Sequence, residues 1–559
     1  PVVRRSRNSQ VSGIGEGGAG HPSSYLRWHT THRRGTAGLF RAFRVARRMP
    51  PDESPENVDD VARRLDDALE RVAHGAAVSV PSILLQRGLT VVFTAALTNG
   101  LGAAPYGLFA LARRIQRFLS RIVLGFRNGL SRFLPTADQE ERNALATFAA
   151  LLLLGVSTIF GAGLFLAAPR ITSAAGQTQQ FETLLRVFAL GMPASVWLFT
   201  ATEVLRGIEA VGPLNLTLRL AFPAAQLVVG LVGAFVVGDI VFVAGGVLAV
   251  MGLTGVGAAI YVVRARGFRP RLRGPDLPKL RRRYLDYTIP LFLGGIATTT
   301  QRLGFYPLIA VFLSGIAGGV FSVGVLVSQL VRLPLMAINQ FIPPVAAALN
   351  EEGHRDALSR LYHVTSRLVL VGVMAAAVPV VVYRETVMAA FGPTFTEYAP
   401  LLVLFVLAQI AACAAGSVGI LLRMTDNQRA LLVTNVGITT VLAIVAIPLT
   451  VRFGLAGVVW TYLLMLTLNN GIEVVVLYYL EGLQPFTKRH SFPLVAAVPF
   501  AGIAFAARAV APGVVGVVGG TVVGLTAFGA TLKLLGFTPV ERRLASTLLE
   551  RYGELLPGQ

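Results

Sequence analysis

The chain contains a long series of apolar runs separated by short connections. About 20 apolar residues in a helix are needed to cross the roughly 30 Å hydrocarbon core of a bilayer. We count about fourteen such runs between residues 77 and 536. Only 14% of the residues are charged, whereas a soluble domain usually carries roughly 25%. The pattern predicts an all-α polytopic membrane protein.

The placement of charge divides the chain into segments. Residues 1–48 hold ten arginines against one acid, Glu16. This segment is either a translation start assigned too early, with Met49 the true initiator, or a disordered basic arm on the anionic leaflet. The other predicted segments are 49–75 (an amphipathic cytoplasmic or interfacial helix), 76–263 (a six-helix bundle), 264–285 (a basic cytoplasmic linker), 286–480 (a second six-helix bundle), 492–536 (two additional membrane helices) and 537–559 (a cytoplasmic tail).

Basic residues in the connections predict the orientation. With the N-terminus in the cytoplasm, the inside loops carry most of the arginines, as the positive-inside rule requires. The linker is the extreme case, because nine Arg and Lys residues there face Asp276 alone. We therefore expect a multi-pass cell-membrane protein with both termini cytoplasmic. The linker either contacts membrane lipids or binds a partner.

The two predicted bundles resemble each other. Gln86-Arg87 in the first span has a counterpart in Gln301-Arg302 of the seventh, and a Gly-rich turn and a long amphipathic helix follow in both places. Because each half has an even number of spans, the halves are predicted to be parallel repeats about an axis along the membrane normal. A substrate is then expected between them.

The sequence offers no catalytic or cofactor chemistry. It contains no hydrolase triad, P-loop, metal-ligand cluster or dinucleotide fingerprint, and Cys413 is the lone cysteine. We therefore expect no enzyme activity and no cofactor. The net charge of +21 raises the possibility of nucleic-acid binding, but its placement beside membrane spans argues against it.

A cationic stripe marks the second span. Its arginines fall within an arc of about 140° at 100° per residue; they are Arg113, Arg114, Arg117, Arg121, Arg127 and Arg132. Such a helix could lie in the membrane interface. We favour a water-filled positive cavity, because the middle of the stripe is too far from either interface to snorkel. The acids within spans are few, with Glu203 and Glu473 the main ones, so the cavity suits an anionic substrate, and arginine matches phosphate.

Three stretches of sequence resemble a known family. They are residues 97–110 (LTNGLGAAPYGLFA), residues 343–354 (PPVAAALNEEGH) with Leu358 to Tyr362 and Arg367 after them, and residues 391–399 (FGPTFTEYA). In order and spacing they are similar to the polysaccharide biosynthesis proteins, the lipid-linked oligosaccharide flippases of the multidrug/oligosaccharidyl-lipid/polysaccharide exporter superfamily. An acidic residue often stands in that family where Gln301-Arg302 stands here, which leaves ion coupling unassigned.

The resemblance implies two six-helix bundles in a V with two extra helices, and a polyprenyl- or dolichyl-linked phospho-oligosaccharide as substrate. Partners would then be the lipid-linked glycan, membrane lipids, and glycosyltransferases or a polymerase of the same pathway. The expected phosphate ligands are Arg87, Arg113, Arg117, Arg121, Arg302 and Arg332; the expected polar ligands of the sugar are Gln329, Asn339, Gln340, Asn215 and Arg219. The rival hypotheses are an ion-coupled multidrug or metabolite antiporter of the same fold, and a membrane scaffold or glycan polymerase.

Overall fold

The computed structural model describes residues 83–208, 210–265, 267–269, 271, 277–511 and 513–536. This part of the chain is helical and contains no strand, which confirms the all-α prediction. The predicted basic arm (1–48), amphipathic helix (49–75) and tail (537–559) lie outside the described residues.

The first half, as we name residues 83–265, contains nine α-helices. They are α1 (83–101), α2 (Ala103–Val123), α3 (Asn128–Phe133), α4 (Gln139–Ala174), α5 (Gln179–Leu190), α6 (Met192–Gly207), α7 (Val211–Asn215), α8 (Phe222–Val232) and α9 (Ile240–Ala265). A 3-10 turn (Leu124–Arg127) joins α2 to α3. π-Helical turns (Leu216–Ala221 and Gly233–Val237) lie on either side of α8.

The second half, residues 277–481, is more often interrupted. Its helices are α10 (Leu277–Leu303), α11 (Phe305–Phe312), α12 (Gly315–Val331), α13 (Leu333–Ile338), α14 (Ile342–Glu351), α15 (Arg355–Val382), α16 (Arg384–Ala389), α17 (Pro393–Thr396), α18 (Ala399–Ala414), α19 (Val418–Met424) and α20 (Gln428–Glu481). Gly454, with φ 58°, breaks α20 into two helices. A 3-10 turn (Lys488–Ser491) and two helices follow, α21 (Phe492–Val510) and α22 (Val514–Leu535).

Eight of the described helical segments are long and apolar enough to cross a membrane, or nine if the bent pair α5–α6 is one span. The chain is therefore a multi-pass membrane protein, while the count of fourteen spans stays a prediction. The helix α2 is not among the eight. Its six-arginine stripe, which continues into α3, makes this region polar where its neighbours are apolar.

The two halves meet through α2 and α12. A Cβ atom on Gly107 would lie 1.7 Å from the carbonyl oxygen of Gly315, the first residue of α12. A Cβ atom on Gly319 would lie 3.1 Å from the carbonyl oxygen of Ala103, the first residue of α2. The two contacts are reciprocal, so the helices cross about a local two-fold axis. We call this end of the protein the glycine end, and the opposite end, where Phe268 and Tyr284 lie, the linker end.

A second pair of contacts repeats between the halves. Gln86 on α1 donates to the carbonyl oxygen of Leu218 at 3.4 Å, and Gln301 on α10 donates to that of Asn435 at 2.9 Å. The two donors belong to the paired Gln-Arg motifs of the sequence. Each acceptor lies about 133 residues further along the chain. Equivalent side chains thus tie equivalent helices together.

The buried core is continuous at one end of the molecule and divided at the other. A large cluster that includes Phe109 and Phe321 joins both halves toward the glycine end. At the linker end, one cluster contains first-half residues together with Phe268 and Tyr284, and another contains second-half residues alone. The halves therefore form a V that opens toward the linker end, where only Tyr284 and its neighbours on α10 still pack into the first half.

The last two helices form a unit beside α15. Phe500 and Phe528 pack with the α15 residues Leu370 and Met374. The hydroxyl of Tyr383, which follows α15, lies 3.1 Å from the carbonyl oxygen of Ala504 and 3.0 Å from that of Gly516. The helices α21 and α22 are therefore held to the second half by hydrogen bonds to backbone carbonyl groups in addition to apolar packing.

Candidate functional site

The arginine stripe lies on a helix at the centre of the protein. α2 packs against α5 on one side and against α10 and α12 on the other. The alternative of a helix lying in the membrane interface is therefore wrong. The stripe is also less continuous than the sequence suggests, because the helix is interrupted at Leu124–Arg127. Arg132, beyond the interruption, is exposed.

Two members of the stripe are held by partners in the first half. Arg113 donates to Gln226 of α8 at 2.8 Å, and its guanidinium lies over the rings of Phe93 and Phe109 at 5.8 and 5.6 Å. These contacts satisfy a half-buried cation. The structure thus places the predicted phosphate ligand Arg113 against partners of the first half, and its role as a ligand stays a prediction.

Arg127 is held in a similar way. Its Nε lies 3.6 Å from the carboxylate of Glu203, and its guanidinium lies 5.9 Å from the centre of the Phe199 ring. Glu203 is buried and also pairs with Arg206 at 3.4 Å. One of the few acids of the spans is therefore used to neutralise the linker end of the stripe.

Arg114, Arg117 and Arg121 have no such partner. Within the described residues they form neither an ion pair nor a hydrogen bond through their side chains. Arg114 stacks on Tyr306 of α11 at 5.1 Å. Arg117 lies within Coulombic range of Arg114 and Arg121, and Arg121 is exposed in the middle of the bundle. These three arginines therefore face the space between the halves.

The second half adds arginines to the same space. Arg302 is exposed near the end of α10 and lies within Coulombic range of Arg121. Arg332 and Arg423 lie within the same range of Arg302. No described carboxylate forms an ion pair with any of the three. We call Arg114, Arg117, Arg121, Arg302 and Arg332 the arginine cluster.

Arg87 bridges the two halves. It donates from α1 to the side-chain oxygen of Gln329 on α12 at 3.2 Å, and it lies 3.8 Å from the sulfur of Met336 on α13. It is also within Coulombic range of Arg114. The structure thus brings two predicted ligands, Arg87 and Gln329, into direct contact at the edge of the cluster.

The remaining predicted polar ligands lie where helices are interrupted. Asn339 and Gln340 occupy the gap between α13 and α14, and Asn339 accepts from Ser417 at 2.5 Å. Arg332 is the C-cap residue of α12, two residues before Pro334. Irregular backbone at membrane depth is tolerated where it lines a water-filled cavity. The positions of these residues therefore support a polar cavity at the junction of the halves.

The fifth predicted span differs from the regular helix that the sequence suggests. Asn215 ends α7, and Arg219 lies in the π-helical turn that follows. Both are half-buried, whereas Gln226 on α8 is buried and binds Arg113. A π-turn changes the number of residues per helical turn, so side chains on either side of it are rotated relative to a regular helix. Arg219 has a partner of its own, and the roles of Asn215 and Arg219 as sugar ligands stay predictions.

The sequence reasoning omitted Arg114 and Arg423 from the site. Arg114 was visible as a member of the stripe. Arg423 lies in one of the predicted inside loops, and only the fold of α19 brings it near Arg302. Among the described residues, no group of three or more His, Cys, Asp or Glu could hold a metal ion. A groove of about 280 Å³ near Phe165 and Pro193 is lined almost wholly by apolar groups and contains none of the arginines.

Comparison with solved structures identifies the architecture. The described arrangement is similar to a structure named lipid II flippase MurJ in an inward closed conformation, with a TM-score of 0.65, 11% identity, and coverage of 81% of this chain and 97% of that one. It is also similar to an inward-facing multidrug resistance MATE family transporter of the MOP superfamily, with a TM-score of 0.60, 15% identity, and coverage of 73% and 98%.

The chain has the fold of the MOP superfamily, the multidrug/oligosaccharidyl-lipid/polysaccharide exporters. An outward-facing MATE family structure gives a TM-score of 0.51 at 16% identity, with 77% of this chain and 98% of that one covered. No family model and no curated protein sequence matches the chain.

Proposed function

We propose that the protein is a flippase for a polyprenyl- or dolichyl-linked phospho-oligosaccharide. The observation that carries this proposal is the arginine cluster, which gathers cations from both halves without a carboxylate paired to any of them among the described residues. Like charges so placed repel one another, and each costs free energy in a low-dielectric site. A phosphate or diphosphate would supply a countercharge at ion-pair distance.

The geometry supports a division of labour between the halves. Arg114, Arg117 and Arg121 would bind phosphate oxygens from α2, and Arg302 and Arg332 would bind them from the second half. Arginine suits this role because its planar fork donates two parallel hydrogen bonds and stays charged in a dry site. Asn339 and Gln340, beside the helix interruptions, would meet sugar hydroxyls.

The proposed transport cycle follows from the V. The head group enters the cavity at the linker end, which the positive-inside rule places in the cytoplasm, while the lipid tail stays in the bilayer. The halves then rock, the linker end closes and the glycine end opens. A phosphate that contacts arginines from both halves favours closure of the linker end. It offsets the repulsion between the arginines only when those of both halves lie close to it. Glycosyltransferases and polymerases of the same pathway would supply and consume the glycan.

The experiment that tests the proposal removes one arginine from each half. We expect Arg121→Gln combined with Arg302→Gln to abolish surface glycan in a cell that depends on this protein, with normal amounts of protein in the membrane. The matched control combines Arg170→Gln with Arg452→Gln, two exposed arginines away from the cluster, and should keep surface glycan. Undiminished glycan in the first variant would contradict the proposal.

An ion-coupled multidrug or metabolite antiporter is the second candidate. The observation in its favour is Glu473, a carboxylate that is only 5% exposed. Ion-coupled transporters use buried carboxylates of this kind to carry a cation. The arginine cluster argues against it, because a positive cavity repels cationic drugs. Efflux of a cationic dye, driven by a sodium or proton gradient in vesicles that contain the protein, would favour this candidate.

A further inference from the structure

Glu473 is the one strongly buried carboxylate on the described part of α20. Its Oε1 accepts from the amide of Asn469, one turn earlier, at 2.7 Å. The side-chain oxygen of Asn469 in turn accepts from Gln301 at 3.3 Å. Gln301 immediately precedes Arg302. A hydrogen-bonded chain thus connects the carboxylate to the helix that carries an arginine of the cluster.

The other carboxylate oxygen faces α19. A Cβ atom added to Gly419 would lie 3.0 Å from Oε2 of Glu473, so the carboxylate rests against bare backbone. The carbonyl oxygen of the same glycine accepts from Nε of Arg423 at 3.0 Å. Carboxylate and guanidinium therefore converge on one residue without reaching ion-pair distance in the described part of the chain.

The charges that surround Glu473 come from several helices. Arg423 on α19 and Arg332 at the end of α12 lie within Coulombic range of the carboxylate. Tyr362 on α15 also lies within that range, and Gln301 on α10 faces it through Asn469. The nearby cations belong to the second-half side of the cavity. Arg127 and Glu203 show that the first half neutralises its own arginine with a direct ion pair.

Resting on the flippase proposal, we propose that Glu473 is the internal countercharge of the second-half arginines, and that it competes with the phosphate of the substrate for them. In the empty protein the carboxylate lowers the positive potential at Arg332 and Arg423. A bound phosphate replaces it as their counter-anion. The negative charge of Glu473 then favours release, because it opposes the bound anion across a medium of low dielectric.

The proposal makes anion affinity depend on the protonation of Glu473. Protonation removes the competing negative charge, so affinity rises as pH falls through the titration of this group and declines as pH rises. A probe of fixed charge is needed, because phosphates titrate themselves.

The experiment uses the full chain in nanodiscs of neutral lipid, with pyrenetetrasulfonate as a fluorescent anion of constant charge. Binding is followed by polarisation between pH 5 and pH 8.5. We expect the affinity of the unchanged protein to rise by roughly tenfold at the acidic end. Glu473→Gln should bind with the higher affinity at every pH and give a flat profile.

Two further variants make the result specific. Glu481→Gln, on the same helix, removes a carboxylate that accepts from Asn427 and pairs with Arg355, and should keep the pH profile of the unchanged protein. Glu473→Asp keeps the charge and should keep the profile as well. If Glu473→Gln does not fold, the pH profile of the unchanged protein is the readout. A flat profile for the unchanged protein, or weaker binding in Glu473→Gln, would overturn the proposal.

The same assay separates this proposal from the flippase proposal. If Arg121→Gln with Arg302→Gln binds the probe as well as the unchanged protein does, the flippase proposal fails. If probe binding requires these arginines but is the same in Glu473→Gln at every pH, the countercharge proposal fails and the flippase proposal stands. Binding that requires sodium, and loses that requirement in Glu473→Gln, would assign the carboxylate to a cation and overturn the countercharge.

Discussion

Gly107 and Gly319 face each other at the crossing of α2 and α12, each four residues after the first residue of its helix. A Cβ atom on Gly319 would lie 3.3 Å from Cα of Gly107. They occupy equivalent positions in the two repeats, so the local two-fold axis passes between them. Only residues without a side chain allow the helices to cross this closely.

We expect Gly107→Ala to destabilise the protein by at least about 1–3 kcal/mol, the usual cost of an overpacked core, because the new methyl group would lie 1.7 Å from the oxygen of Gly315. Thermal unfolding in detergent measures the change. The control is Gly155→Ala in α4, where nothing lies within 4 Å and a methyl group should be neutral or slightly stabilising. Equal unfolding temperatures for both variants would contradict the close crossing.

Arg113 and Arg117 should respond in opposite ways to substitution. Arg113→Ala loses a hydrogen bond to Gln226 and two ring contacts, so we expect a loss of about 2 kcal/mol in stability. Arg117→Gln removes repulsion from its neighbours and should raise the unfolding temperature while it weakens anion binding. Unfolding curves with and without a polysulfonated anion measure both. A stabilising effect of the anion that survives in Arg117→Gln would speak against its role.

The equivalent glutamines give a test of the repeat. We expect Gln86→Leu to cost roughly 0.6 kcal/mol, the average of interhelical hydrogen bonds in membranes. Gln301→Leu should cost more, because Gln301 also binds Asn469. Thermal unfolding of both variants, with Gln179→Leu at an exposed position as control, measures the order. A larger loss at Gln86 than at Gln301 would be the wrong order.

Tyr383 should fix the last two helices to α15. We expect Tyr383→Phe to cost about 1 kcal/mol, because the hydroxyl that is shared between the carbonyl oxygens of Ala504 and Gly516 is lost. Hydrogen exchange should rise in the α21–α22 turn and stay unchanged in α2. The control is Tyr479→Phe, since that ring is 78% exposed. Unchanged exchange in the turn would show that apolar packing alone holds the pair.

The sequence predicted the membrane fold and the arginine stripe, because both depend on local periodicity. It could not predict the partners of Arg113 and Arg127, because Gln226 and Glu203 lie on other helices and become neighbours only after folding. The π-turn at Arg219 also escaped prediction, because one extra residue in a turn leaves no mark on an apolar pattern. Segment boundaries and the count of fourteen spans stay predictions.

The undivided core at the glycine end and the two separate cores at the linker end have a mechanical consequence. The glycine crossing can act as a fulcrum, and each half as a lever whose far arm is free to swing. The halves share buried apolar side chains most widely near the fulcrum. At the far arms their apolar contact is limited to α10, whose Phe292 stacks on Phe126, so the ionic composition of the cavity would act on the levers where apolar packing is least extensive.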